Sequence, residues 1–155
     1  MKKVLFICTG NTCRSPMAAA IFEKMLEEKG AGRREIKVES AGIYALENER
    51  ATREAVEVMR SAGIDITKHR SRLVTETMLA GADLVLTMTR NHRRHLQDLY
   101  PDYKYKVYTL AEYSGQPEEE IPDPYGQSIE AYRLALQQIK SLLEPIVDQW
   151  ENFTE

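Results

Sequence analysis

Apolar and polar positions alternate in blocks along this chain. Val4-Leu5-Phe6-Ile7-Cys8 is a continuous apolar run, which predicts a short strand buried on both faces. Residues 16–29 follow with helical spacing, Met17, Ala20, Ile21, Lys24, Met25 and Glu28 recurring behind a Pro16 in the first turn. Ile36 to Ser40 reads as a second strand. A helix begins at Thr52, with Ala55, Val56 and Met59 on one face and Gly63 past its end. Ala82 to Met88 predicts a third buried strand, followed by a polar helix from Arg90 to Leu99. Val107 to Leu110 is a short fourth strand. Residues 114–127 contain Gly115, Pro117, Pro122, Pro124 and Gly126, which predicts a loop. The last helix starts near Ser128. Ile129, Tyr132, Leu136, Ile139, Leu143 and Ile146 form its apolar seam, and Pro145 is expected to kink or end it.

Strands alternating with helices predict an α/β fold, here a doubly wound, four-stranded parallel sheet flanked by helices. Such sheets bind ligands beyond the carboxyl ends of their strands. The first strand ends at Cys8, so the turn after it is where chemistry is expected.

Composition narrows the picture. The 155 residues match one domain spanning 1–155, with no repeat or linker. A net charge of −3 lacks the basic footprint of a nucleic-acid binder. With 43% apolar and 29% charged residues, the chain reads as a globular protein rather than a disordered one. No apolar run approaches a membrane span. The N-terminal run is too short for a signal peptide and leads into Thr-Gly-Asn, so a cytoplasmic location is expected. We also expect a monomer. Cys8 and Cys13 are the sole cysteines. In a reducing compartment they call for a chemical explanation rather than a disulfide scaffold. With three scattered histidines they do not match zinc spacing, so neither metal nor other cofactor is expected.

Residues 8–15 read Cys-Thr-Gly-Asn-Thr-Cys-Arg-Ser in a strand–turn–helix setting. Gly10 and Asn11 tolerate left-handed backbone, so N–H groups from Thr9 to Ser15 can turn inward as an anion nest. The following helix adds its positive end. Arg14 offers a planar fork for two phosphate oxygens. Cys8 would lie at the base of this nest. A free thiol is mostly protonated near neutral pH and is then a poor nucleophile. A helix terminus contributes up to ~2 kcal/mol toward an anion, so the inward N–H groups, Ser15 and Arg14 must add the rest. An isolated Cys ending a strand would be a small hydrophobe. This octet instead fits a thiolate held under a tetrahedral dianion. Such chemistry also needs a proton donor for the leaving group and a base for water, and Asp123 lies on a Pro-stiffened loop before a helix.

Cys-Thr-Gly-Asn-Thr-Cys-Arg-Ser-Pro-Met-Ala resembles the phosphate loop of the low-molecular-weight protein tyrosine phosphatases. Ser40-Ala41-Gly42, His69 to Arg72 and Asp123-Pro124-Tyr125-Gly126 extend the resemblance along nearly the whole chain. Within that family, Thr12 makes the loop look like that of bacterial protein-arginine phosphatases. The resemblance implies a metal-independent phosphatase acting on phosphorylated proteins, with Cys8 as nucleophile, Arg14 on the phosphate and Asp123 as acid and base. It further implies that Ser40 and His69, with Arg72, brace Asn11. Tyr44 and Tyr125 are candidate pocket walls, and Thr12 and Cys13 lie on the loop rim. His92, Arg93, Arg94 and His95 read as a solvated helix face. Cys8 and Cys13 share one tight loop, which predicts a reversible peroxide-driven disulfide. Three other readings compete: a tyrosine-specific phosphatase, an arsenate reductase, and a non-catalytic anion-binding or redox-sensing module. The reductase needs further cysteines, and none follows Cys13.

Overall fold

A computed structural model describes residues 2–30 and 36–150; Met1, 31–35 and 151–155 fall outside it, as do those parts of the expected 1–155 domain. Four parallel strands form one sheet in the order β2-β1-β3-β4: β1 (Lys2–Cys8), β2 (Ile36–Gly42), β3 (Leu84–Thr87) and β4 (Val107–Thr109). The expected parallel α/β architecture is what the chain adopts.

β1 is central, which explains its unbroken apolar run. Its alternate residues serve two cores. Val4, Phe6 and Cys8 face α1 (Arg14–Glu28), α2 (Arg53–Ser61) and α6 (Ile129–Asp148), where Met17, Phe22, Met59, Tyr132 and Ile139 are buried. Leu5 and Ile7 face the other layer, packed with Val85, Leu79 of α3 (Glu76–Gly81) and Leu96 of α4 (Arg90–Leu99). Among the described residues, no helix is long and apolar enough to cross a membrane.

The boundaries differ from the sequence expectations where capping decides them. α1 starts at Arg14, two residues before Pro16, so the expected loop residues Arg14 and Ser15 are already helical. β3 is shorter than Ala82–Met88 because Ala82 caps α3 and Asp83 N–H bonds the Lys3 carbonyl at 2.8 Å. β4 stops at Thr109 rather than Leu110. Thr109 and Glu112 form a capping box that starts the one-turn helix α5 (Leu110–Tyr113). α3 and α5 were too short for periodicity to reveal. Pro145 does not end α6, which continues to Asp148.

Candidate active site

Local bonding explains how the chain turns from β1 into α1. Asn11 takes a left-handed backbone, φ 58°, and is wholly buried. Gly10 does not share that conformation, contrary to expectation; a side chain there would meet only Thr12 Oγ1, at 3.7 Å. Asn11 is fixed from every side. Its Nδ2 donates to Ser15 Oγ at 2.8 Å and to Ser40 Oγ at 3.0 Å. Its Oδ1 accepts the Arg72 backbone N–H at 2.9 Å. Its carbonyl lies 2.7 Å from His69 Nε2. A carbonyl can only accept, so His69 carries its proton on Nε2. Burial pushes His69 below its usual range, favouring that neutral ring. The Arg72 side chain turns away to Glu39 and the Ser40 carbonyl, each at 3.3 Å, so Arg72 touches Asn11 through its backbone.

Cys8 Sγ lies 2.9 Å from Ser15 Oγ and accepts the Asn11 N–H at 3.3 Å. Because Asn11 already donates to Ser15 Oγ, the Ser15 hydroxyl proton is free to point at sulfur. Both groups can therefore donate to the Cys8 sulfur. Gly42 packs flat under the loop. A Cβ there would come 2.5 Å from the Thr9 carbonyl oxygen and 3.0 Å from the Asn11 nitrogen. Thr52, the N-cap of α2, ties the rim by donating its N–H to the Thr12 carbonyl at 3.0 Å.

Arg14 is buried although charged. Nη1 donates to the Ile121 carbonyl at 2.9 Å, Nη2 to Thr9 Oγ1 at 3.4 Å, and Nη2 lies 3.7 Å from Asp123 Oδ2. Arg14 thus joins the loop after β1 to the Asp123 loop. That second loop is anchored by Ile121 N–H on the Met88 carbonyl at 3.2 Å, beyond the end of β3. Asp123 itself has a side chain 51% exposed, with Oδ1 accepting the Tyr125 N–H at 3.1 Å.

A cleft of about 450 Å³ opens over these groups. Cys8, Thr9, Gly10, Thr12, Cys13, Arg14, Tyr44, Asp123 and Tyr125 all line it, so the predicted loop, acid and walls meet in one place. Asn11, Ser15, Ser40, His69 and Arg72 lie behind it. Tyr44 and Tyr125 are 70% and 66% exposed, placing them at the mouth. Leu46, Glu49, Arg50 and Thr52 also line the cleft and carried no motif that singled them out. Cys13 is buried, and burial raises its thiol above the usual range. Tyr132 reaches up from α6 with its hydroxyl 3.7 Å from Cys13 Sγ. Both cysteines are free thiols.

The polar helix α4 holds the main correction. His92 is not on a solvated face; it is 8% exposed, with Nε2 2.9 Å from Thr9 Oγ1. Arg93 pairs with Glu112, and His95 meets the Tyr44 ring edge-on with centroids 5.4 Å apart. Arg94 alone of the four is exposed.

A strand-end cysteine in a braced anion loop, with an arginine and an aspartate over it, defines a phosphoryl-transfer class. The family model "Low molecular weight phosphotyrosine protein phosphatase" matches residues 3–152. The chain is 38% identical over 146 residues to the protein-arginine-phosphatase of Bacillus subtilis (strain 168), spanning 94% of this chain and 95% of that one. Two solved structures are similar. The low molecular weight protein tyrosine phosphatase from T. tengcongensis has a TM-score of 0.89 and 41% identity over 96% of this chain and 99% of that chain. A cysteine-to-serine mutant of YwlE arginine phosphatase, with a phosphorylated active-site serine, has a TM-score of 0.91 and 37% identity over 96% and 95%. The chain belongs to the low molecular weight phosphotyrosine protein phosphatase family. It is a cysteine-dependent phosphatase that acts on phosphorylated protein.

Proposed function

We propose that this phosphatase removes phosphate from phosphoarginine in proteins, using Cys8 as nucleophile. Cys8 Sγ attacks phosphorus in line, forming the S–P bond as the P–N bond to the guanidine breaks. Asp123 gives its proton to the departing nitrogen. Water then attacks the phosphocysteine, Asp123 takes the water's proton, and the S–P bond breaks to inorganic phosphate and the Cys8 thiolate. The loop N–H groups and Arg14 hold the equatorial oxygens throughout.

The loop binds any phosphoryl dianion, so preference must come from the rim. The observation that carries the arginine reading is Thr12, a short side chain lining the cleft, together with the exposed Asp123 carboxylate across from it. A guanidinium is planar, polar and cationic once protonated, and it suits a neighbouring carboxylate. A phenol offers no such charge. The Bacillus relative's name supports the same reading. Exposed Tyr44 and Tyr125 favour a second reading, phosphotyrosine, because aromatic walls can stack on a phenyl ring. The test compares kcat/KM on phosphoarginine and phosphotyrosine peptides. Wild type should prefer phosphoarginine. Thr12→Ile should shift the ratio toward phosphotyrosine by roughly 10- to 200-fold. An unchanged ratio, or a wild-type preference for phosphotyrosine, overturns the assignment and leaves the Cys8 chemistry standing.

The same reading includes a redox switch. Hydrogen peroxide oxidises the Cys8 thiolate to a sulfenic acid, and the Cys13 thiol then displaces water to form a disulfide. Mass spectrometry after mild peroxide should find Cys8 linked to Cys13. Sulfinic Cys8 beside a free Cys13 would reject it.

A further inference from the structure

His92 is a buried histidine that the chemistry above does not use. It lies in the first turn of α4, where its backbone N–H donates to Thr89 Oγ1 at 3.2 Å. Its Nε2 is 2.9 Å from Thr9 Oγ1, and the same oxygen accepts Arg14 Nη2 at 3.4 Å. Thr9 therefore links an imidazole to the guanidinium over the cleft. A threonine hydroxyl has one proton to give. If it goes to Nε2, the oxygen's lone pairs are left for Arg14. The ring proton then sits on Nδ1, which is buried without a hydrogen-bond partner. A buried unpartnered ring nitrogen is unfavourable. An apolar side chain would avoid that cost, so packing alone does not account for histidine here.

We propose that His92 is a positioning residue for phosphate binding: as a neutral acceptor it orients the Thr9 hydroxyl, and Thr9 fixes the plane of the Arg14 guanidinium. The proposal rests on the reading of Arg14 as the phosphate-holding side chain. Neutrality fits the surroundings. Burial, then the Arg14 charge, hold His92 at about 4, against weaker opposing pulls from Asp123 and Glu120 on the acid loop; His95 on α4 adds to the lowering. A charged imidazole could no longer accept from Thr9 and would repel Arg14.

The test uses the full chain, p-nitrophenyl phosphate as substrate and inorganic phosphate as competing ligand. A glutamine carbonyl reaches about as far from the backbone as Nε2, whereas an asparagine carbonyl reaches only to the Nδ1 level. His92→Leu and His92→Asn should each lower kcat/KM about tenfold and weaken inhibition by phosphate by a similar factor. His92→Gln should recover most of both. Thr9→Val/His92→Leu should lose no more than Thr9→Val alone. Equal loss in the Gln and Asn variants, or additive losses in the double variant, overturns the proposal. If His92→Leu fails to fold, the Gln–Asn pair decides, since both are polar and differ by one methylene. Arg14→Lys separates the two levels. Unchanged phosphate inhibition in Arg14→Lys rejects the reading of Arg14 itself. A severe loss there with unaffected His92 variants rejects only the positioning role.

Discussion

The phosphate loop and the acid loop face each other across one cleft and are built in opposite ways. From Cys8 to Ser15, side chains are tied to β2, to residues 69–72 and to α4, and Asn11 alone engages Ser15, Ser40, His69 and Arg72. The acid loop is held at Ile121, by Met88 and Arg14, and at Glu120, by Arg90 and Gln138, while Asp123 beyond these anchors is half exposed. The contrast fits the two tasks proposed for them. Binding a dianion needs dipoles fixed before it arrives, because reorganising them during reaction costs free energy. Proton transfer needs a carboxyl that substrate, leaving group and water can each reach in turn.

Breaking the brace should have the largest effect. Asn11→Ala removes three side-chain hydrogen bonds and places alanine in left-handed backbone. We expect a loss of about 3 kcal/mol in stability at about 1 kcal/mol per bond, measured by urea unfolding. Activity should fall about equally on every substrate, because the loop serves them all. Changing the acid loop should instead depend on the leaving group. Asp123→Asn should slow turnover by roughly 10²–10⁴-fold on a poor leaving group and far less on p-nitrophenyl phosphate. A uniform loss would erase the distinction between the two loops.

A change of pH sharpens the comparison further. His69 and His92, both on the braced side, are pushed down by burial, His92 from the ordinary 6.5 to about 4. A lowered histidine favours the folded state when neutral. For His92 that stabilisation is complete above pH 6.5 and is lost as pH falls through 6.5 toward 4. For His92 the full loss is on the order of 3 kcal/mol, reached only below pH 4. Wild type should therefore lose stability across that window more steeply than His92→Gln. Identical slopes would show that His92 titrates normally.

The loop octet and the βα alternation were legible because their signals are local. Cys8, Arg14 and Asp123 stand out in the sequence by side-chain chemistry, and Ser40, His69 and Arg72 through family resemblance. His92 was misread because its neighbours Arg90, Arg93 and Arg94 gave the helix a polar pattern, and tertiary packing chose one position from it. Ile121 was invisible because it acts through a carbonyl that every residue carries. Gly42 stands out in the sequence only as part of the Ser40-Ala41-Gly42 triplet. What it does, letting β2 close against Thr9 and Asn11, depends on a contact between segments far apart in sequence.

Quenching Asp123→Asn during turnover of p-nitrophenyl phosphate, followed by peptide mass spectrometry, measures the division of labour directly. The intact phosphate loop should still form the phosphoenzyme from this good leaving group, while the missing base slows its hydrolysis. Phosphocysteine at Cys8 should therefore accumulate well above its wild-type level. Phosphate on another residue, or no accumulation in a variant that turns over slowly, would contradict the account.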